Sequence, residues 1–107
     1  MDQNPIQDIE PVEVWRYFRE ISRIPRCSGK EDAIRNYLID QAESHGLDHQ
    51  TDEVGNVIIR VPASKGYEKR PTAIIQGHMD MVCEKNRDTG HDFSSDPIRL
   101  KLEGDML

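Results

Sequence analysis

The first third of the chain contains apolar residues at intervals of three and four positions, the spacing of one face of a helix. One such segment begins at Pro11, a residue that suits the first helical position, and stops at Pro25. Its apolar stripe consists of Val14, Trp15, Phe18, Ile21 and Ile24. The pattern predicts an amphipathic helix over residues 11–24.

A second helix is predicted to follow the sequence Ser28-Gly29-Lys30-Glu31, which has the spacing of a capping box. In that motif the Ser28 hydroxyl accepts the amide of Glu31, and the Glu31 side chain reaches back. The helix is expected to run to about His45, with Gly46 as a left-handed C-cap. Its predicted buried face is Ala33, Ile34, Tyr37, Leu38 and Ala42.

After Gly46 the pattern changes to that of strands. Leu47–Glu53 is a weak strand, and Asn56–Val61 is a stronger strand that follows a turn at Gly55. Thr72–Gln76 has a continuous apolar centre, which is typical of a strand buried on both faces. Ile98–Glu103 alternates apolar and charged residues, as a strand with one wet face does.

The chain ends at a turn signal, Gly104-Asp105, followed by the start of a partner strand. Because a hairpin without its second strand leaves backbone groups unpaired, we expect residues 1–107 to be one truncated segment of a larger domain. Two helices and several strands predict an α/β fold in which the helices pack on a mixed sheet. An open strand edge is a template for another strand, so a homo-oligomer is also expected.

Composition and charge narrow the classes of function. The 107 residues are 36% hydrophobic and 32% charged, which is typical of a globular chain in water. The net charge of −6 argues against a nucleic-acid partner, which would need a basic face. No apolar run approaches the roughly 20 residues of a membrane span, and no secretory signal precedes the first helix. We therefore expect a cytoplasmic protein with no membrane partner.

The two cysteines, Cys27 and Cys83, lie far apart in the sequence. In a reducing cytosol they are expected to stay as thiols. Cys83 is interpreted as a small buried apolar residue and Cys27 as a loop thiol without a role.

Candidate chemistry lies in Gly77-His78-Met79-Asp80, directly after the predicted strand 72–76. Ligands of open α/β sheets bind at the carboxyl ends of strands. A neutral imidazole is the commonest metal ligand, and a carboxylate on its other nitrogen fixes the tautomer. Residues two apart in extended chain face the same way, so Asp80 could reach the His78 ring. The triplet alone favours the simpler interpretation, a His and an Asp at a solvated strand end.

The stretch GHMDMVCEKN, with His91-Asp92-Phe93 and Asp96-Pro97-Ile98 after it, resembles the aminoacyl-histidine dipeptidases, also called cytosol non-specific dipeptidases or peptidase D. These are di-zinc exopeptidases. Upstream segments agree with the resemblance: Val14-Trp15, Ile24-Pro25-Arg26, Ser28-Gly29, Glu31, Asp52, Gly55-Asn56-Val57 and residues 62–66. The resemblance extends in linear order over nearly the whole chain.

The resemblance implies that the chain is the amino-terminal part of a zinc-exopeptidase catalytic domain. It makes His78 a ligand of one zinc ion and Asp80 the catalytic-site carboxylate that orients His78. The remaining ligands of the two zinc ions, and a glutamate that acts as general base, would lie outside this chain. The implied reaction is hydrolysis of dipeptides, including Xaa-His types, by zinc-activated water, and these 107 residues alone are expected to be inactive.

Two alternatives remain open from the sequence. One is a related di-zinc aminopeptidase or deacylase with the same His-x-Asp start. The other is a metal-free binding or assembly module that keeps the fold without the chemistry.

Overall fold

The computed structural model describes residues 4–107, which contain two helices and one sheet. In chain order these are helix α1 (Val12–Ser22), helix α2 (Asp32–Ser44), strand β1 (Asp48–Thr51) and strand β2 (Val57–Arg60). The chain divides into two compact units: residues up to Ile34 together with Asp80–Leu107, and residues Arg35–Met79. The α/β class predicted from the sequence is confirmed.

Helix α1 has the predicted position but a less buried apolar stripe. It begins after Pro11, whose carbonyl accepts the amides of Val14 and Trp15 at 3.1 and 3.4 Å. At its end, buried Ser22 donates its hydroxyl to the Phe18 carbonyl, and the Ser22 carbonyl accepts the amide of Ile98. Val14 and Phe18, both on the predicted stripe, are exposed. The helix therefore forms within this chain while part of its apolar face stays in contact with solvent.

Helix α2 ends as its sequence predicts. Gly46 has φ +64°, the Gly46 amide donates to the carbonyl of Glu43, and the Leu47 amide donates to that of Ala42. These two bonds are those of a Schellman motif, which satisfies carbonyls at the helix end. Ile34 and Ala42 are buried as expected, whereas Ala33 is exposed, contrary to the prediction.

Strands β1 and β2 pair as an antiparallel hairpin in which Asp48 lies opposite Arg60 and Thr51 opposite Val57. Asp52 holds the turn, because its carboxylate accepts the amides of Val54 and Asn56 and the Asn56 side-chain amide. Gly55 has φ +90°, and its carbonyl accepts the Arg35 Nε–H at 2.8 Å. A Cβ at this position would fall on the Arg35 guanidinium. Glycine is therefore favoured here by the backbone conformation, and a larger residue would also have to displace the end of the Arg35 side chain.

Two predicted strands do not form. Residues 72–76 and 98–103, all of them described, adopt no regular strand. Ile74 and Ile75 are 87% and 100% exposed, so the expected burial on both faces is also wrong. A strand needs a partner for its backbone groups along its whole length. Among the described residues, segment 98–103 has such bonds at its two ends alone, from Ile98 to Ser22 and between Glu103 and Met106, and no backbone pairing is seen for segment 72–76. The Gly104-Asp105 turn is confirmed: Glu103 and Met106 exchange both backbone hydrogen bonds across it.

Burial is sparse for a chain of this size. Within residues 4–107 the buried hydrophobic residues are Ile6, Ile34 and Ala42. Much apolar surface thus stays accessible. No helix in the described part is long and apolar enough to cross a membrane.

Candidate functional site

The candidate residues His78 and Asp80 lie on opposite sides of the division between the two units. His78 belongs to the unit of residues 35–79 and Asp80 to the other. The His78 ring is exposed, and Asp80 is half-buried. A Cβ added to Gly77 would meet no described atom within 4 Å, so the backbone before His78 is open to approach. The predicted pairing of the His78 ring with Asp80 stays a prediction.

Asp80 lies next to a short parallel pairing between two distant parts of the sequence. The Met81 amide donates to the Arg26 carbonyl at 2.9 Å, and the Met81 carbonyl accepts the Ser28 amide at 3.2 Å. These two bonds form a parallel bridge between Cys27 and Met81. The loop before α2 is thereby aligned with the segment that carries Asp80.

The Asp80 carboxylate accepts a hydrogen bond from the hydroxyl of Ser28, with 2.5 Å between Ser28 Oγ and Asp80 Oδ2. The predicted capping box is therefore wrong in one half, since the Ser28 hydroxyl bonds Asp80. The other half is close to the expectation: the Glu31 carboxylate does reach back, but to the amide of Gly29, at 2.7 Å. Helix α2 accordingly begins at Asp32, later than a Ser28 cap would place it.

Cys27 and Cys83 form a disulfide, which corrects the expectation that both stay as thiols. Their Cα atoms are 5.6 Å apart, within the range that a disulfide spans. The parallel bridge explains the pairing, because it aligns Cys27 with Met81 and so brings Cys83 near. The sequence does not reveal this, since the contact joins residues separated by 56 positions.

The other three histidines have local contacts of their own. His45 Nδ1 lies 2.8 Å from the Gln41 carbonyl at the end of α2, and His49 Nε2 lies 3.3 Å from a Glu43 carboxylate oxygen. The His91 ring packs edge-on against Phe93 with centroids 4.5 Å apart. Its Nε2 is buried and makes no hydrogen bond to any described residue.

His91 also lines an open groove of about 670 Å³ in the loop that follows Cys83. Lys85 and Arg99 line the same groove, together with Glu84. Hydrogen bonds from Ser94, first its hydroxyl and then its amide, hold the pKa of the Asp92 carboxyl below its usual value. The His91-Asp92 pair therefore belongs to a structured loop, in which Asp92 serves the turn at Ser94.

Within residues 4–107 no three His, Cys, Asp or Glu side chains are grouped as a metal site. His78 supplies one nitrogen donor of the type that zinc binds, and Asp80 is a carboxylate two positions away. His78 by itself fits one ligand position of a zinc site, which would need further ligands to complete it. Ser28 is the residue that the sequence analysis missed, because its capping-box spacing suggested a different bond.

Comparisons of the sequence with known proteins give two relatives, a dipeptidase and a hydrolase of another substrate. The chain is 38% identical over 102 residues to the cytosol non-specific dipeptidase of Escherichia coli (strain K12), a match that includes 95% of this chain and 21% of the relative. It is 34% identical over 74 residues to the putative [LysW]-lysine/[LysW]-ornithine hydrolase of Pyrococcus furiosus, with 69% of this chain and 21% of the relative matched. No family model matches the chain.

The structural comparison gives the same result. The crystal structure of the aminoacylhistidine dipeptidase from Vibrio alginolyticus superposes with a TM-score of 0.87 and 39% sequence identity. The match includes 92% of this chain and 20% of that protein. The chain thus spans about a fifth of the length of the relatives that it matches.

Proposed function

The chain is homologous to the cytosol non-specific and aminoacylhistidine dipeptidases, and from this premise we propose that residues 1–107 are the amino-terminal segment of the catalytic domain of a zinc-dependent dipeptidase. The observation that supports it is the 38% identity over 95% of the chain. The proposed substrates are dipeptides, Xaa-His types among them, and the products are free amino acids.

His78 is proposed as the ligand that this segment contributes to one of two zinc ions. Its ring is exposed and follows a glycine with open space around it, so a metal ion can reach it. Zinc binds neutral imidazole nitrogen at about 2.0–2.1 Å, and catalytic sites need at least three protein ligands. The other ligands therefore have to come from residues beyond these 107.

Asp80 is proposed as the carboxylate that orients the His78 imidazole. A carboxylate that accepts the second ring N–H fixes the tautomer that binds the metal and raises the basicity of the ligand nitrogen. Asp80 does not touch the metal in this scheme. It acts by holding the His78 ring in one orientation, and the spacing of two residues is what makes this contact possible in extended chain.

When bound, zinc would lower the pKa of a coordinated water toward about 7 and so supply the nucleophile at neutral pH. These 107 residues contribute a ligand and its orienting group, and the proposed general base lies elsewhere. We therefore expect the isolated chain to be inactive. The proposed location is the cytoplasm, in line with the relative named a cytosol dipeptidase.

A second candidate is a related hydrolase of another amide bond. It is favoured by the 34% identity to the putative [LysW]-lysine/[LysW]-ornithine hydrolase. Both candidates use the same His-x-Asp start, so substrate preference is what separates them. A metal-free binding module is the third reading, and it predicts that loss of the His78 imidazole has no effect on metal content or hydrolysis.

The test compares the product of the complete reading frame that contains this chain with its His78→Ala and His45→Ala variants. His45 is the matched control, because its ring bonds a helix carbonyl in the same protein. We expect the parent to hydrolyse dipeptides and His78→Ala to lose about 100-fold or more in kcat/KM together with bound zinc, while His45→Ala keeps both.

Three results would change the assignment. Hydrolysis of lysyl or ornithyl amide conjugates in preference to dipeptides would favour the second candidate. Unchanged zinc content and activity in His78→Ala would refute His78 as a ligand. Absence of zinc and of hydrolysis in the parent would leave the binding module.

A further inference from the structure

The disulfide between Cys27 and Cys83 lies beside the parallel bridge that joins Cys27 to Met81, in the unit formed by residues up to 34 and residues 80–107. Both cysteines are half-buried, so the sulfur–sulfur bond is not sealed inside a core. Thiol–disulfide exchange depends on such access. In a reducing compartment, a disulfide that forms at all is usually transient and either catalytic or redox-sensing.

The two segments that the disulfide joins are held in different ways. The loop that contains Cys27 has local bonds of its own: the Lys30 amide donates to the Cys27 carbonyl at 2.8 Å, and the Arg26 guanidinium donates to a carbonyl at the end of α1. On the other side, both backbone hydrogen bonds that Met81 makes in the described part of the chain run to this loop, residues 26–28. The position of Met81 therefore depends on the pairing, whereas that of the loop does not.

The surroundings of the two sulfur atoms also suit the reduced state. Cys27 Sγ lies 3.8 Å from the carbonyl oxygen of Phe93, and Cys83 Sγ lies 3.8 Å from that of Met81. In the disulfide the sulfurs carry no proton to donate. After reduction each thiol is a weak donor, and an acceptor is already in place for it. The same site thus accommodates both oxidation states.

The covalent bond makes the larger contribution to the pairing of residues 26–28 with residues 80–83. Without it, the pairing would have to close a loop of 56 residues, which lowers the equilibrium constant by about 1,000-fold at most. Two backbone hydrogen bonds together favour a contact by about 5- to 150-fold. The Ile98 amide, which donates to the Ser22 carbonyl at 2.8 Å, keeps a later part of the same unit attached to α1. Reduction should therefore release residues 80–83 in particular.

We propose that the Cys27–Cys83 disulfide is a redox-sensitive clamp, which holds residues 80–83 against residues 26–28 when oxidised and lets them separate when thiols reduce it. Of the proposed function, this inference uses the cytoplasmic location alone. The co-reactant is a small monothiol, and two molecules of it are consumed for each disulfide that is broken.

The exchange proceeds in two steps. The thiolate of one monothiol attacks a sulfur of the disulfide, which forms a mixed disulfide and releases the other cysteine as a thiolate. A second thiolate then attacks the monothiol sulfur of the mixed disulfide and releases the remaining cysteine. Two electrons pass to the protein, the protons of the two monothiols end on Cys27 and Cys83, and the co-reactant leaves as its own disulfide. The reverse reaction closes the clamp.

The experiment uses the product of the complete reading frame, equilibrated in mixtures of reduced and oxidised glutathione. A maleimide traps the free thiols, and the mass of the protein counts them. Hydrogen–deuterium exchange with mass spectrometry then measures the peptides that contain Ser28 and Met81 in the oxidised and the reduced protein. The peptide with Leu47 is the control, because the Leu47 amide bonds the Ala42 carbonyl at a helix end in the other unit.

We expect both oxidation states to be populated across these mixtures, with the reduced form predominant in excess reduced glutathione. On reduction, the amides of Ser28 and Met81 should exchange about 10- to 1,000-fold faster, the upper limit being loss of the whole loop-closure restraint. The Leu47 peptide should change by less than about 3-fold. The double variant Cys27→Ser with Cys83→Ser should exchange like the reduced parent in every mixture, and circular dichroism should show that it is folded.

Three results would overturn the inference. A disulfide that persists in the folded protein under a large excess of reduced glutathione would be a structural bond. Unchanged exchange at Ser28 and Met81 after reduction would mean that the two segments stay paired without the clamp. An equal loss of protection in the Leu47 peptide would mean that the bond stabilises the chain as a whole. Hydrolysis is not among these readouts, so a protein that cleaves no dipeptide but shows the redox-dependent exchange would refute the proposed function and support the clamp.

Discussion

In the unit formed by residues 35–79, two segments with an apolar centre behave differently: Val57–Arg60 forms a strand, and residues 72–76 do not. Val57–Arg60 pairs with Asp48–Thr51, which is joined to it by a short turn. Residues 72–76 likewise have an apolar centre, Ala73-Ile74-Ile75, yet they form no strand and Ile75 is fully exposed. The difference shows that an apolar run indicates a possible strand. In this chain the strand forms where a second segment, close in sequence, can pair with it.

The largest expected change in unfolding free energy among these tests is that of replacing Ile75, which tests whether residues 72–76 become a strand in the complete protein. If residues 72–76 become a buried strand in the complete protein, Ile75→Ala should cost about 2–5 kcal/mol of unfolding free energy there. In the 107-residue chain the same change should cost less than about 0.5 kcal/mol, because the side chain is already in water. Urea unfolding of both proteins measures the two values.

Val54→Ala is the matched control for Ile75, since Val54 is exposed in the hairpin turn and should be neutral in both proteins. A small cost of Ile75→Ala in the complete protein would mean that residues 72–76 stay uncovered there. If the segment pairs between copies instead, light scattering should show a dimer of the 107-residue chain. A stable monomer at high concentration would contradict that homo-oligomer.

The disulfide between Cys27 and Cys83 is a covalent contact between residues distant in sequence, in contrast to the pairing of the two neighbouring strands. Closing a loop of 56 residues should stabilise the chain by about 4 kcal/mol, through fewer conformations of the unfolded state. Adding a reductant should therefore lower the urea midpoint of the 107-residue chain. The double variant Cys27→Ser with Cys83→Ser should have the lower midpoint from the start and show no response to reductant. An unchanged midpoint in the parent after complete reduction would contradict this stabilisation.

The smallest effect concerns the turn that makes the hairpin form. The hydrogen bond from the Asn56 side chain, followed by the Asn56 amide, lowers the pKa of the Asp52 carboxyl below 3.8. A carboxyl whose pKa is lower in the folded state stabilises the fold at pH values above its pKa in the unfolded state. This stabilisation is lost as the pH falls through the pKa of the folded state. The amide protons of Val54 and Asn56 should therefore shift in NMR spectra with a midpoint below pH 3.8. Asp52→Asn should flatten this titration, and a midpoint at or above 3.8 in the parent would refute it.

Features encoded by neighbours in the sequence could be predicted. The two helices, the Gly46 C-cap, the hairpin and the Gly104-Asp105 turn all depend on contacts within a few residues, and all were confirmed. The strands at 72–76 and 98–103 were predicted wrongly, because a strand depends on partners that a local pattern does not contain. Local chemistry thus accounts for the parts of the fold that need no distant contact.

In the candidate site, too, local features could be predicted from the sequence and long-range contacts could not. His78 and Asp80 were found because they lie two positions apart after an apolar run, although their proposed roles stay predictions. The bond from Ser28 to Asp80 and the Cys27–Cys83 disulfide both join distant parts of the chain, and no local pattern predicts either of them. Only the resemblance to a family could have placed these segments together, and it did not specify their contacts.

The disulfide also determines the covalent topology of the molecule. The entire unit from Arg35 to Met79 lies inside the ring closed by Cys27 and Cys83, including the exposed loop of residues 62–71. A protease that cuts once in this loop would therefore produce two peptides still joined as one molecule. The nicked chain would migrate as a single species until the sulfurs are reduced, and only then separate into its two halves.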